Sequence, residues 1–403
     1  MAVAAALFAF SFYALFTWLE QGQLSDVNVY VHYAKLIRSG AVPYRDFPFE
    51  YPPAALLPIL LPVYMSWSFA TSFAVLMGVC GAGCLALVAT ALRDVEASPA
   101  RTWASLLLVG VSPLVLGSLF DTRFDLWPTL LALGALVALV QERPVVTGAL
   151  LGLSFAAKLW PVALLPIAVV HLSRRRGGDS ALAAVAAFVA VAAACFVPFA
   201  LLAPHGLRAM FADQLDRPLQ VESLGSAVLM AAQHLGMRPL STIDSHGAQA
   251  LSGRGAGLGA DLSTVLELGT VIAIWIVFAR RRNAGGEAVL LAAAATVAAL
   301  VAFDKVLSPQ YLIWLVPFVA LVRGWLGVLA GALLLLALGL TQTWFPWHYW
   351  RLALDHAAPW SWYLLVRDLA LVALAAVLLA SLTRARDSAI GRGRWPVARR
   401  VGA

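Results

Sequence analysis

Asp26 stands in SDVNVYVHYAKLIRSG, at the start of an amphipathic stretch, where a carboxylate can complement a helix dipole or take the proton of an attacking hydroxyl. Lysine usage gives the second signal. Only three of the 28 basic residues are lysines, and two of them, Lys158 in AAKLWP and Lys305 in FDKVLSPQYLIWLVP, lie outside the arginine clusters. A cation at an apolar boundary suits an anionic group such as a phosphate, with snorkelling to headgroups as its ordinary alternative.

Other candidates crowd into similar segments. FDTRFDLWP packs Asp121, Arg123 and Asp125 into five residues, as a mutual brace around the arginine or with Arg123 or Asp125 facing a cavity. Glu50 and Tyr51 precede the PP step of a path that Pro43, Pro48, Pro52 and Pro53 force to be extended. Gln220 and Glu222 lie in DQLDRPLQVESLGS, where Glu222 equally suits a helix's first turn. His348 and Arg351, three apart in WFPWHYWRLALDHAAPW, could meet a phosphate or a sugar, although the tryptophans there read first as an aromatic belt. No nucleotide loop, dinucleotide fingerprint or zinc spacing occurs. Cys80, Cys84 and Cys195 sit in apolar runs, so neither a disulfide nor a metal site is expected. No cofactor is required on this reading, with a divalent cation bridging Asp26 or Glu50 left open.

The elements that hold these residues must suit lipid. Hydrophobic residues make up 62% of the 403 and charged residues 12%, with mean hydropathy +0.84. A soluble domain carries about half and a quarter. The net charge of +7 is no sign of nucleic acid, because the arginines cluster at 174–176, 280–282 and 384–400 in the manner of membrane anchors. Hydropathy predicts an all-α, polytopic transmembrane helix bundle of about twelve crossings. They fall near 1–19, 67–92, 102–118, 126–141, 145–157, 159–172, 180–202, 261–279, 286–302, 310–322, 325–343 and 361–382. Residues 1–19 read as a retained helix, since no basic region or cleavage site accompanies them.

Loops 93–101, 141–144, 173–180 and 280–287, Arg323 and both termini then share one side, which the positive-inside rule makes cytoplasmic. Outer loops 20–51, 119–125, 157–160, 203–260, 303–309 and 344–360 hold nearly every unusual residue. Ser25 is the expected cap of a helix ending at Gly40 with Val27, Tyr30, Val31, Ala34 and Ile37 on its apolar face. Runs 54–65 and 221–235 are too short to span and read as re-entrant or interfacial helices. One transmembrane domain over 1–383, with outer loops 20–66 and 203–260, precedes a basic cytoplasmic tail at 384–403.

In order along the chain, DVNVYVHYAKLIRSGAVPYRDFPFEYPP, RFDLWP, GLSFAAKLWP, RPLQVESL, DKVLSPQYLIWLVP and LLVRDLALV resemble the successive blocks of the polyprenol-phosphate-mannose-dependent mannosyltransferases of glycosyltransferase family 87, within the membrane glycosyltransferase C superfold. The resemblance implies a lipid-linked sugar donor, an outer-face active site and inversion at the anomeric carbon. It also makes Asp26 the general base, by its place near the start of the first outer loop. Where a better-studied branch carries histidines, in the block reading SPQYLIW here, this chain has Gln310. Lys158, Lys305 and Arg123 are then candidate partners of the donor phosphate. Glu50, Tyr51, Asp125, Gln220, Glu222, Gln310, His348 and Arg351 are candidates for sugar or acceptor. Partners on this reading are a polyprenyl-phosphate sugar, a glycolipid or polysaccharide acceptor and membrane lipid, with no nucleic acid.

A lipid or lipid-linked sugar transporter or flippase without transferase activity would also place rare charges inside a bundle. Against it, paired half-repeats with broken helices are missing, and the charges gather near one face instead of the midplane. An inactive scaffold would have no use for Asp26, Lys158, Lys305 and Glu222 together.

Overall fold

The computed structural model describes residues 1–18, 24–237, 239–245, 247–281 and 285–384. Among the described residues, six helices are long and apolar enough to cross a membrane: Phe69–Asp94, Gly178–Leu202, Ala256–Ala279, Gly286–Phe303, Gly324–Trp344 and Ala358–Arg384. The expected count of about twelve is not confirmed, since length and composition mark only these six. The remaining expected crossings are shorter or interrupted, and the reason is mostly proline, whose missing N–H and ring block the preceding turn. Residues 159–172 begin as a 3-10 turn, Trp160–Leu164, before the helix Leu165–Arg176 with Pro166 in its first turn. Residues 310–322 likewise divide into Pro309–Tyr311 and the nine-residue helix Leu312–Ala320.

Residues 102–118 are divided too. Pro99–Gly110 gives way to Ser112–Leu116, and Gly117, at φ 58°, turns the chain into a further helix, Ser118–Thr122. Residues 119–125, expected as an open loop, are therefore mostly helical and buried. The shorter apolar helices Leu126–Val140 and Pro144–Ala157 pack against each other. Gly148 and Gly152, four apart, let Pro144–Ala157 lie directly on Gly178–Leu202, since a methyl at either would collide with the carbonyl of Ala184 or Phe188.

At the centre runs Gly286–Phe303, whose alanines let neighbours approach closely. The loops at its N-terminal end interlock. Arg101 pairs with Glu287, Gln141 donates to Asp94, Arg175 pairs with Glu142, and Arg281 donates to the Leu382 carbonyl. Loops 93–101, 141–144 and 173–180 and the described residues of 280–287 thus gather at one end, which with Arg323 and Arg384 holds most of the described arginines. Residues 385–403, most of the expected tail, lie outside the described residues.

At the other end the chain is less regular, and there two expectations change. Asp26, not Ser25, is the N-cap residue of Val27–Arg38; its own side chain makes no capping bond, while the Ser25 hydroxyl accepts from the Val27 amide at 3.1 Å. That helix buries Tyr30, Tyr33 and Ala34, so Tyr33 stands in the face where Val31 was expected. The chain is mostly helical, as expected, with one short hairpin among the described residues. Strands Ser241–Ser245 and Ala248–Ser252 form an antiparallel hairpin, with Ser245 opposite Ala248. The runs expected as short interfacial helices are Pro53–Tyr64, in mixed 3-10 and α turns, and Leu224–His234, capped by Ser223.

Candidate active site

Helix starts and ends bring the charged residues of distant segments together here. Asp26, at the start of Val27–Arg38, forms an ion pair through Oδ1 with Nη1 of Arg123, which follows Ser118–Thr122. Tyr30, one turn on, donates to Asp26 Oδ2 at 3.4 Å. Arg123 Nη2 donates to the Leu24 carbonyl at 3.3 Å. Its Nε is buried and, among the described residues, has no acceptor. Burial costs that guanidinium, and the charge of Asp26 offsets the cost.

Aromatic rings wall this pair. Tyr51 packs edge-on against Phe124 at 4.9 Å and against Tyr30 at 6.1 Å, and Tyr44 donates to the Tyr51 carbonyl at 2.5 Å. Tyr51 is therefore part of the wall beside Asp26, and burial first, then the Asp26 and Glu50 charges, raise its phenol well above the usual range. Glu50 faces the hairpin: a side chain at Gly247, whose φ is +69°, would run into its carboxylate.

Asp125 and Lys158 form a second pair. Lys158 Nζ donates to Asp125 Oδ1 at 2.5 Å, and the Trp314 indole donates to the same oxygen at 2.7 Å. The ammonium lies over Phe124, Tyr311 and Trp314, with Tyr311 nearest at 4.9 Å. Cation and π faces attract most when water is excluded, so the lysine is matched both by charge and by rings. The Asp125 charge reaches Tyr30, which also feels Asp26 and Arg123, so the two pairs are neighbours.

Lys305 joins from the far side. It donates to the Leu215 carbonyl at 2.7 Å, and its own carbonyl accepts from Gln220 at 2.9 Å. Beside it Asp304 is acted on by Arg217, Lys305 and Lys158, while burial pushes its carboxyl above the usual range. Glu267, in the middle of Ala256–Ala279, is also within reach of Asp304 and Lys305. Sequence reasoning missed it, although a carboxylate near the middle of a 24-residue apolar helix was a visible signal.

A third cluster surrounds Glu222. Gln220 and Tyr349 hydrogen-bond its side chain, and burial pushes the carboxyl up to about 7. Arg367, wholly buried in Ala358–Arg384, donates to the Glu222 carbonyl at 2.7 Å, pairs with Asp368 at 2.9 Å and lies over Trp344. Arg367 and Asp368 were legible as a charged pair within LLVRDLALV, but nothing local told what they would hold. Tyr349 feels both Glu222 and Arg123, which makes this cluster adjacent to the first.

Three candidates are placed otherwise. Gln310 accepts from Ser308 at 2.6 Å. His348 stacks on Trp360 with centroids 4.1 Å apart, and the Arg351 side chain is exposed. Among the described residues no contact unites His348 with Arg351. Nor do any three histidine, cysteine or carboxylate side chains there come close enough to hold a metal ion.

The family model described as glycosyltransferase family 87 matches residues 49–309. Glu50, Arg123, Asp125, Lys158, Glu222 and Lys305 lie inside that stretch, whereas Asp26 and Gln310 lie outside it. No curated protein matches the chain.

Proposed function

The chain belongs to glycosyltransferase family 87, a membrane-embedded glycosyltransferase, and from that premise we propose that it transfers mannose from a polyprenyl phosphate to an acceptor hydroxyl, with inversion and with Asp26 as base. One observation carries the reading. Arg123 clamps Asp26 while keeping a buried N–H unmatched, so a phosphate offered to Nε would draw the guanidinium toward itself and free the carboxylate.

In the step itself the acceptor O–H proton passes to Asp26 as the oxygen forms its bond to the anomeric carbon. The bond from that carbon to the phosphate oxygen breaks, and its electron pair leaves with the polyprenyl phosphate. Arg123 and Lys305 take up the departing charge. Lys158, already matched by Asp125, holds the wall between them. Glu50, Tyr51, Asp125, Gln220 and Glu222 line the sugar and acceptor side. The site faces away from the cytoplasm of a bacterial plasma membrane, because the arginine-rich loops occupy the opposite end. A glycolipid or polysaccharide is the acceptor, and the step as written requires no cofactor.

Membranes carrying the full chain and a radiolabelled polyprenyl phosphomannose test this. Asp26→Asn is expected to lower transfer by about a hundredfold or more, as for a lost general base, with donor binding kept. Undiminished transfer in that variant removes Asp26 from the chemistry. Movement of intact donor across the bilayer without transfer supports the transporter reading instead, and transfer undiminished by chelator supports the metal-free step.

A further inference from the structure

The arginine-rich end contains a groove that the transfer reaction does not use. It has a volume of about 340 Å³ and lies where the ends of Gly286–Phe303, Gly324–Trp344 and Ala358–Arg384 meet. Arg281, Arg323 and Arg384 line it, and the one carboxylate in its wall, Glu287, is held by both terminal nitrogens of Arg101. Among the described residues, none of the three arginines is ion-paired.

An arginine that merely anchors a helix end sits in water or among headgroups. Arg281 is only 9% exposed. It is fixed there by a bond from Nη1 to the Leu382 carbonyl at 3.0 Å, with its own carbonyl accepting from Arg174 at 2.7 Å. Burial first, and then the like charge of Arg323, lower its pKa. Apart from Ser381, the rest of the wall is apolar, including Leu291, Leu321, Val322 and Leu326, with Trp325 at 66% exposure on the rim. A cationic floor, an apolar wall and an exposed indole at a membrane boundary are what a headgroup with attached acyl chains requires.

We propose that this groove binds the phosphate headgroup of an anionic phospholipid from the adjoining leaflet, held by Arg281, Arg323 and Arg384. The acyl chains leave along Leu326 and Trp325. Binding there is independent of sugar transfer, so it stands or falls apart from the role of Asp26.

Purified full-length protein in detergent, incubated with short-chain phosphatidylglycerol or phosphatidylcholine, gives the test, with bound lipid read by native mass spectrometry. Phosphatidylglycerol is expected to bind at least about tenfold more tightly than phosphatidylcholine, and Arg323→Gln and Arg384→Gln each to lose about fivefold of that preference. Both side chains are exposed, so these variants should fold. Arg93→Gln, at the same end but outside the groove, should change nothing. Equal binding of the two lipids overturns the proposal. So does an undiminished preference in the Arg323→Gln, Arg384→Gln double variant, or an equal loss in Arg93→Gln. Displacement of the lipid by millimolar inorganic phosphate makes the groove a soluble-anion site and overturns the lipid assignment.

Discussion

The two ends of the bundle hold charge in opposite ways. Beside Asp26 the Asp125–Lys158 pair is sealed: the Asp125 side chain is 1% exposed and the Lys158 side chain 15%, and rings cover what the carboxylate does not. At the arginine end, Arg175 is 55% exposed where it meets Glu142, and Arg174 bonds carbonyls at a helix end, Arg281 in its groove being the exception. Water screens an exposed pair, so making or breaking it matters little; a sealed pair resists loss of either partner because the other is stranded. The comparison separates a site, where charges are kept out of water at a cost to folding, from an anchor, where they follow helix termini.

Breaking the sealed side should have the largest effect. Asp125→Ala strands Lys158 and removes the acceptor of Trp314, and is expected to cost about 3–5 kcal/mol, read as a lowered unfolding temperature of the purified protein. Lys158→Met in that background should recover part of the loss. If Asp125→Ala melts like the parent, the pair is not holding the wall.

Next in size is Lys305→Ala, which should weaken donor binding and turnover by about tenfold each, for loss of one charged contact to phosphate. Fluorescent-donor binding that does not change would take Lys305 out of the phosphate site.

A smaller effect sharpens the comparison through pH. Burial raises the Glu222 carboxyl from its ordinary 4.5 to about 7, so the folded chain holds that proton more tightly than the unfolded one. Stability from this group is then complete below about 4.5 and is lost as pH rises through about 7. Glu222→Gln should flatten the fall in unfolding temperature over that window, and an equally steep fall in the variant would assign it to another group. Least of all, Arg175→Gln at the arginine end should shift stability by less than about 1 kcal/mol, as for any exposed pair. A loss as large as that of Asp125→Ala would erase the distinction between the ends.

Much of this was legible in the chain. The arginine-rich loops expected on one side do interlock at one end, because charge and turn residues fix where apolar segments stop. The number of spans was not legible in the same way. Hydropathy counts apolar residues, whereas Pro161, Pro166, Pro309 and Gly117 decide whether they form one helix or several. The hairpin at 241–252 was hidden because five-residue strands exposed on one side carry a weak pattern.

The same division runs through the site. Composition determined the solvent, and isolated charges such as Asp26, Lys158 and Lys305 announced themselves by standing where lipid makes charge expensive. Which charge meets which was a matter for tertiary structure. Asp26 and Arg123 are 97 positions apart and Asp125 and Trp314 are 189 apart. Hydropathy and periodicity describe a residue against its sequence neighbours, but an ion pair forms only when helix packing has set two distant segments within a few ångströms of each other.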